Sequence, residues 1–135
     1  MRLEASFAVA ASGMRAQSAR LRVVAENIAN ADSTAATPGG DPYRRRVVVF
    51  RPEPDRTLGV ARVAVDRIAV DRSPFQLRYE PWHPAADERG YVKYPNVEPV
   101  VELVDMREAQ RAYEASLQTL ATARGLLLET IDLLR

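Results

Sequence analysis

Apolar residues recur at alternating steps of three and four along the first part of the chain. Charged side chains such as Arg15, Arg20 and Glu26 lie off this stripe. The spacing is typical of the a/d seam of a coiled coil, here sustained for about four heptads. It predicts a helix from about residue 3 to residue 30, roughly 40 Å long. The positions of this first seam are Leu3, Phe7, Ala10, Met14, Gln17, Leu21, Val24, Ile28 and Ala31.

The last part of the chain repeats the pattern and predicts a second helix, from about residue 97 to residue 134 and about 57 Å long. Asn96 is a suitable N-cap, and Pro99 falls in the first turn, where no intrahelical donor is lost. Gly125 is unfavourable inside a helix, by about 1 kcal/mol against Ala. The second seam consists of Leu103, Met106, Gln110, Tyr113, Leu117, Leu120, Arg124, Leu127, Ile131 and Leu134.

Residues 34–95 differ from both ends, because prolines and glycines interrupt them repeatedly. Three runs rich in Val, Phe and Tyr stand between these breaks, at 43–50, 59–65 and 75–79, and they predict short strands. The predicted class is α+β, with long N- and C-terminal helices that form a coiled coil and a small β-rich domain between them. The predicted boundaries are an N-terminal helix in 1–33, a β-rich domain in 34–95 and a C-terminal helix in 96–135.

The two helices need more apolar cover than the β-rich part can supply, because isolated helices are stabilised mainly by burial of their apolar face. Pairing of the two seams leaves further positions on the second helix uncovered, among them Ala109, Ala112, Ala123 and Leu126. Small residues at such positions permit close approach of another helix. The sequence therefore predicts a helical building block that is completed by other chains.

Composition excludes several classes of function. The chain has 135 residues, a net charge of +1 and no cysteine. Disulfides, thiolate catalysis and cysteine-based metal sites are therefore excluded, and no overall field attracts nucleic acid or an anionic membrane. The N-terminal apolar stretch is short and continues into the helical pattern, unlike a cleaved leader, and no segment has the apolar length of a membrane span.

Candidate chemistry is sparse. His83 stands between two prolines without a second imidazole or thiolate, which argues against a metal site. No spacing nominates a convergent pair of carboxylates or a nucleophile. The run "YRRRVVVFR" resembles a basic stripe, but as a strand it carries arginine and apolar residues on both faces, which suits a protected edge. We expect no catalytic residue, no metal, no cofactor and no nucleic-acid partner.

Asn27 and Asn30 stand where the first helix ends, in "RVVAENIANADS". Asn30 follows the last strong seam residue, and asparagine tolerates the left-handed conformation that ends many helices. Asn27 lies one turn earlier beside the seam, and a helix terminus accounts for it less well. For Asn27, a place in a polar recognition surface therefore remains an alternative interpretation.

The same stretch resembles the N-terminal signature of the flagellar basal-body rod and hook proteins. That signature is A-x-N-[LI]-A-N-x-x-[ST], and Ala25, Asn27, Ile28, Ala29, Asn30 and Ser33 match it. The resemblance extends through "GGDPYRRRVVVF" to the closing "MREAQRAYEASLQTLATARGLLLETIDLL". The segment "HPAADERGYVKYPNV", together with the short length, narrows it to one short rod subunit of that family.

The resemblance implies a structural subunit of the proximal rod, which polymerises through its terminal helices into the hollow drive-shaft that transmits motor torque. It implies partners among other rod subunits and copies of the chain itself. It also implies export by the flagellar type III apparatus without a cleaved signal peptide, and a place in the periplasmic rod. Asn27 and Asn30 would join the two seams in the subunit interface. The alternative is a soluble helical-hairpin adaptor that binds a partner helix.

Overall fold

The computed structural model describes residues 3–135, with a long helix at each end of this range and two longer and two shorter strands between them. The helices are α1 (Leu3–Ala29) and α2 (Pro99–Leu133), and the strands are β1 (Arg46–Asp55), β2 (Val60–Val70), β3 (Gln76–Tyr79) and β4 (Tyr91–Tyr94). The predicted α+β class is confirmed. Three strands match the predicted runs with shifted ends, whereas β4 was not predicted.

The end of α1 is closed by side chains. The backbone N–H of Asn30 donates to the carbonyl of Glu26 over 3.0 Å, and the Asn30 side-chain amide donates to the same oxygen over 2.9 Å. The Ser33 hydroxyl donates to Oδ1 of Asn30 over 3.0 Å. Asn30 has a negative φ, so the expected left-handed ending is wrong. The asparagine side chain satisfies the last turn instead.

The start of α2 is set by Pro99, the first helical residue, where its missing N–H removes no intrahelical bond. The prediction that Pro99 lies in the first turn is confirmed. The carbonyl of Glu98 accepts the N–H of Glu102 over 3.1 Å, which makes Glu98 the N-cap. The prediction that Asn96 caps the helix is wrong, because its side chain bonds to other segments.

The contacts of the chain divide it into two compact units. Among the described residues, unit 1 comprises 3–21, 48–67 and 107–135, and unit 2 comprises 22–47 and 68–106. Each unit contains parts of both helices and parts of the strands.

In unit 1 the two helices run antiparallel and approach closely. A Cβ on Gly13 would lie 2.8 Å from Oγ of Ser116, so the missing side chain permits the contact. Further along, the guanidinium of Arg20 donates to the carboxylate of Glu108 over 3.0 Å. The close approach at Gly13 fixes the spacing of the helices, whereas an exposed ion pair of this kind contributes little.

The face of α2 that packs in unit 1 carries small side chains. Ala109 is 0% exposed and Ala123 is 4% exposed, and Ser116 lies between them at the same heptad position. The prediction that Ala109 and Ala123 are uncovered is wrong, because these alanines face the chain's own core. Beyond Ala123, all residues of α2 are exposed.

Strands β1 and β2 form a two-stranded hairpin, of which residues 48–67 belong to unit 1. Pro52 and Pro54 of β1 have no N–H, so their nitrogens belong on the edge away from β2. On β2, the N–H of Val63 donates to the hydroxyl of Ser12 over 3.2 Å, and that hydroxyl donates to the carbonyl of Val9 over 2.8 Å. Ser12 thereby joins α1 to the hairpin.

Strands β3 and β4 are antiparallel in unit 2, with Gln76 opposite Tyr94 and Tyr79 opposite Tyr91. All four residues of β3 are exposed, whereas Val92 and Tyr94 of β4 are buried and form a small core with Ala85. This core joins β4 to the loop of residues 81–90, which contributes Ala85, so the predicted β-rich segment has a small hydrophobic core of its own.

Candidate assembly site

Asn27 is the centre of a buried polar cluster in unit 2. Its side-chain amide donates to the carbonyl of Arg46 over 2.8 Å and to Oε2 of Glu102 over 3.2 Å. Its Oδ1 accepts the N–H of Arg46 over 3.0 Å and the hydroxyl of Tyr43 over 2.7 Å. Both donors and both acceptor positions of the amide are therefore occupied.

The side chain of Asn27 makes the two hydrogen bonds to Arg46 that the backbone of a neighbouring strand would normally make. A residue in a strand directs its own N–H and C=O to the same edge, where a partner strand normally exchanges both bonds. Asn27 makes the same pair of bonds with one side chain. Since Asn27 is 1% exposed, its polar atoms are directed inside the chain and not at the surface.

Arg45 is the main cation of the cluster. Its Nε bonds Oε1 of Glu102, its Nη1 lies 3.2 Å from Oδ2 of Asp71 and its Nη2 lies 3.2 Å from Oδ2 of Asp105. Glu102 is 0% exposed, so its negative charge requires the Arg45 guanidinium as a partner. The fork of one guanidinium serves three carboxylates, which a lysine ammonium on a single point could not do.

Asn96 holds the other edge of the same segment. Its Oδ1 accepts the N–H of Arg45 over 2.8 Å, and its amide donates to the carbonyls of Asp71 and Ser73 over 3.0 and 3.2 Å. Asp71 in turn donates its N–H to the carbonyl of Arg45 over 2.8 Å. The start of β1 is thus held on one edge by Asn27 and on the other by Asn96 with Asp71.

The pKa shifts agree with this arrangement. The backbone N–H of Ser73, together with the Arg45 guanidinium, holds the pKa of Asp71 below its ordinary value. Burial acts to lower the pKa of Arg45, but its hydrogen bonds and charge pairing with Glu102 and Asp71 outweigh burial, so the net shift is upward. Burial raises the pKa of the Tyr43 hydroxyl. The cluster therefore favours charged Arg45 and Asp71 and a neutral Tyr43.

The basic run before β1 is engaged within the chain. Arg44 lies 4.0 Å from the ring centre of Phe75 and donates to the carbonyls of Asp71 and Ser73 over 3.1 and 3.0 Å. Arg46 pairs with Glu26 over 3.9 Å, so all three consecutive arginines have partners within the chain.

The predicted interface residues of α1 lie mostly at the margin of the core. Ala10, Val24 and Asn27 are buried. Oε1 of Gln17 is buried without a hydrogen-bond partner among the described residues. The half-buried members of the predicted set are Leu3, Phe7, Met14, Gln17, Leu21, Ile28 and Asn30.

The predicted interface residues of α2 are more accessible. Met106, Tyr113 and Leu120 are half-buried and border the small-residue face. The exposed members of the predicted set are Leu103, Gln110, Leu117, Leu127, Ile131 and Leu134. Leu134, one residue beyond α2, is 81% exposed. The structure thus leaves a row of apolar side chains on α2 that the chain itself does not cover.

Sequence patterns missed two further groups of exposed apolar residues. Both groups lie on α2, one at its start and one near its end, outside the three-and-four stripe. They are Val100, Val101 and Val104, and Leu128 and Leu133, whereas the exposure of Leu126 was predicted and is confirmed. Their signal was the density of aliphatic residues, which places apolar groups on several sides of the helix. The exposed surface of α2 is therefore broader than a coiled-coil seam.

Other candidate chemistry has structural roles. Nδ1 of His83 accepts the N–H of Ala85 over 3.0 Å and so closes a turn. Among the described residues, no three metal-ligating side chains gather as a possible ion site. Within residues 3–135, neither helix combines the length and apolar character required to cross a membrane.

Comparison with known proteins identifies the family. Residues 7–36 match the family described as flagella basal body rod protein, and residues 88–133 match the C-terminal family of flagellar basal body rod FlgEFG proteins. The chain is 53% identical to the flagellar basal-body rod protein FlgC of Agrobacterium fabrum over 98% of its own length and 96% of the relative. It is 42% identical to that of Salmonella typhimurium over 94% of both chains, and 37% identical to that of Borreliella burgdorferi over 100% and 99%. The chain therefore belongs to the FlgC family of flagellar basal-body rod proteins.

Proposed function

We propose that α1 and α2 polymerise as a coiled coil into the wall of a hollow proximal rod, which transmits motor torque. As a member of its family, the chain is a structural subunit of the basal-body rod, located in the basal body with other rod subunits and copies of itself. The β-rich segment of residues 34–95 would form the outer part, and the segments 1–33 and 96–135 the inner part.

The exposed apolar row on α2 carries this proposal. Leu117, Leu127 and Ile131 are 46%, 39% and 45% exposed, on a helix whose small-residue face is already packed. A helix with apolar residues on several sides is normally buried on several sides. Burial of this row against neighbouring subunits would supply the free energy of assembly, at about 25 cal/mol per Å² of apolar surface.

We assign Asn27 a role inside the subunit. Its bonds to Arg46 and Glu102 support the shape of the subunit from within, and the neighbouring Asn30 closes the last turn of α1. Both residues would therefore act on assembly by holding the end of α1, and not by direct contact with another subunit.

Export is the second element of the proposal. The subunit would leave the cytoplasm through the flagellar type III apparatus without a cleaved leader and assemble in the periplasm, with no enzymatic activity and no nucleic-acid partner. The exposed last turns of α2 support a helix that is completed on assembly, because helix formation gains most of its stability from packing.

A double substitution of Leu117→Ser and Ile131→Ser tests the proposal in a flagellated bacterium that lacks its own FlgC. We expect the purified variant to fold as the parent does, since both positions are exposed, and the cells to lose motility and complete rods. Val104→Ser is the matched control, because Val104 is also an exposed apolar residue and the helical period places it on the side of α2 away from Leu117 and Ile131. Normal rods and motility in the double variant would refute assembly through this row.

A further inference from the structure

A groove opens in unit 1 between α1, the β1–β2 hairpin and the middle of α2, and its volume is about 580 Å³. Val9, Phe50 and Val63 contribute apolar walls, and Ala61 and Thr119 lie along its length. A volume of this size lies within the range of roughly 300–1,000 Å³ that accepts a small ligand. It can receive a few side chains from one face of a helix.

Arg62 gives the groove a specific polar requirement. Its Nε is buried and has no hydrogen-bond partner among the described residues. Its Nη2 lies 3.8 Å from Oδ2 of Asp55, beyond hydrogen-bond distance. A buried guanidinium donor is satisfied best by a carboxylate. The groove therefore suits an occupant with apolar side chains on either side of an acidic one.

The last turns of α2 carry such a pattern. Leu126, Glu129 and Leu133 share one face, at spacings of three and four residues. The two leucines are 41% and 85% exposed, and Glu129 forms no ion pair within the described chain. Apolar, acidic and apolar groups therefore follow one another on an uncovered surface.

We propose that the groove of one copy receives the Leu126, Glu129 and Leu133 face of a second copy, with the Glu129 carboxylate on the Arg62 guanidinium. This inference rests on the proposed assembly function and names one of its contacts.

The geometry excludes the same copy as the occupant. The part of α2 that lines the groove ends at Thr119, and Glu129 lies ten residues further along the helix, about 15 Å away by the helical rise. A straight helix cannot return its own end to its middle. The contact joins two different surfaces, and heterologous contacts of this kind generate open helical polymers when their rotation does not close a ring.

Disulfide cross-linking tests the contact, because the chain has no native cysteine. Cells that lack their own FlgC would produce a chain with Ala61→Cys and Leu133→Cys, and isolated basal bodies would be oxidised. We expect a ladder of dimers and higher multimers, since each copy carries both halves of the contact. The matched control combines Ala61→Cys with Leu128→Cys on another side of the helix, and we expect no ladder from it.

Charge reversal tests the Arg62 to Glu129 pair separately. We expect Arg62→Glu and Glu129→Arg each to lower the cross-linked fraction about tenfold, and the two together to restore it. Restored cross-linking in the double variant would show that the two side chains pair directly. If each substitution damaged the fold instead, the double variant would cross-link even less than either single variant.

The contact between copies and the proposed function are refuted by different results. Motile cells with complete rods but no ladder from the first cysteine pair would overturn this contact and leave the rod function intact. Cross-links to a different rod subunit, identified by mass spectrometry, would overturn the choice of a second copy. Failure of the unsubstituted chain to restore motility would instead count against the proposed function.

Discussion

The side-chain amide of Asn27 donates to the carboxylate of Glu102 over 3.2 Å, and the two residues are 1% and 0% exposed. Seventy-five positions of sequence separate them, so the bond joins the end of α1 to the start of α2 within unit 2. The second N–H of the Asn27 amide and its carbonyl oxygen are also hydrogen-bonded. The pair therefore tolerates little change in either hydrogen-bonding capacity or charge.

Asn27→Asp is expected to destabilise the fold strongly. The carboxylate would lose both donors and face the buried Glu102 with a like charge, at a cost of about 3 kcal/mol or more. Urea unfolding followed by circular dichroism measures the change. Gln118→Glu makes the same chemical change at an exposed position of α2. It should alter the free energy of unfolding by less than about 0.5 kcal/mol. Equal effects of the two substitutions would contradict the role of Asn27.

Arg45→Lys tests the fork that serves three carboxylates. A lysine cannot contact Glu102, Asp71 and Asp105 together, and a buried carboxylate that loses its partner costs about 2–4 kcal/mol. Arg46→Lys is the control, because the Arg46 side chain is half exposed and its ion pair with Glu26 is long, at 3.9 Å. If both variants unfold at the same urea concentration, the cluster contributes no more than a surface ion pair.

The contact of Gly13 with Ser116 predicts a non-additive pair of substitutions. Gly13→Ala gains helix propensity of about 1 kcal/mol but meets the Ser116 hydroxyl at 2.8 Å. Ser116→Ala removes that hydroxyl, so the double variant should be more stable than the parent by about 1 kcal/mol. The thermodynamic cycle of four unfolding free energies measures the coupling. Additive effects would show that the helices are not in contact at this point.

Asp71 predicts a component of acid sensitivity. Its folded pKa is lowered, first by the Ser73 N–H, so its charged form stabilises the fold above its unfolded pKa of about 3.9. That stability is lost as the pH falls through the lower folded pKa. Asp71→Asn should flatten the fall in unfolding free energy below about pH 4. An unchanged pH profile, with the parent's stability at neutral pH, would exclude this contribution.

Hydrogen exchange should separate two parts of α2. The side chains of Ala109 and Ala123 are buried, whereas all residues beyond Ala123 are exposed. We therefore expect amides of residues 126–134 in the free chain to exchange much faster than those of 109–123. The same amides should become protected in isolated basal bodies. Slow exchange of residues 126–134 in the free chain would mean that assembly does not complete this part of the helix.

The sequence predicted the helices well because their evidence is local. Period and end signals located α1 and α2 to within two residues at each end. β4 was missed because "YVKY" is only four residues long between Gly90 and Pro95, and its status depends on pairing with β3. The packed face of α2 was also missed. Close packing there requires small residues such as Ala109 and Ala123, whereas the apolar period is carried mainly by larger residues, most of them leucines that are exposed here.

Asn27 shows how far a functional site can be predicted from the sequence. The sequence marked it as poorly explained by a helix end, but its partners Tyr43, Arg46 and Glu102 are distributed along the chain. No spacing rule connects such positions, since the fold alone brings them together. The resemblance of the motif to the rod and hook proteins named the residue without giving its contacts, and the geometry shows that those contacts lie inside the chain.

The edges of the β1–β2 hairpin have a consequence for how the subunit behaves before it is incorporated. Exposed strand edges recruit further strands, so free copies of a subunit that later polymerises risk amyloid growth through such edges. In unit 1, Pro52 and Pro54 remove donors from one edge, and Ser12 occupies the Val63 donor on the other. Neither edge presents an unbroken row of free N–H and C=O groups. The hairpin therefore disfavours amyloid growth, and polymerisation through the helices does not compete with it.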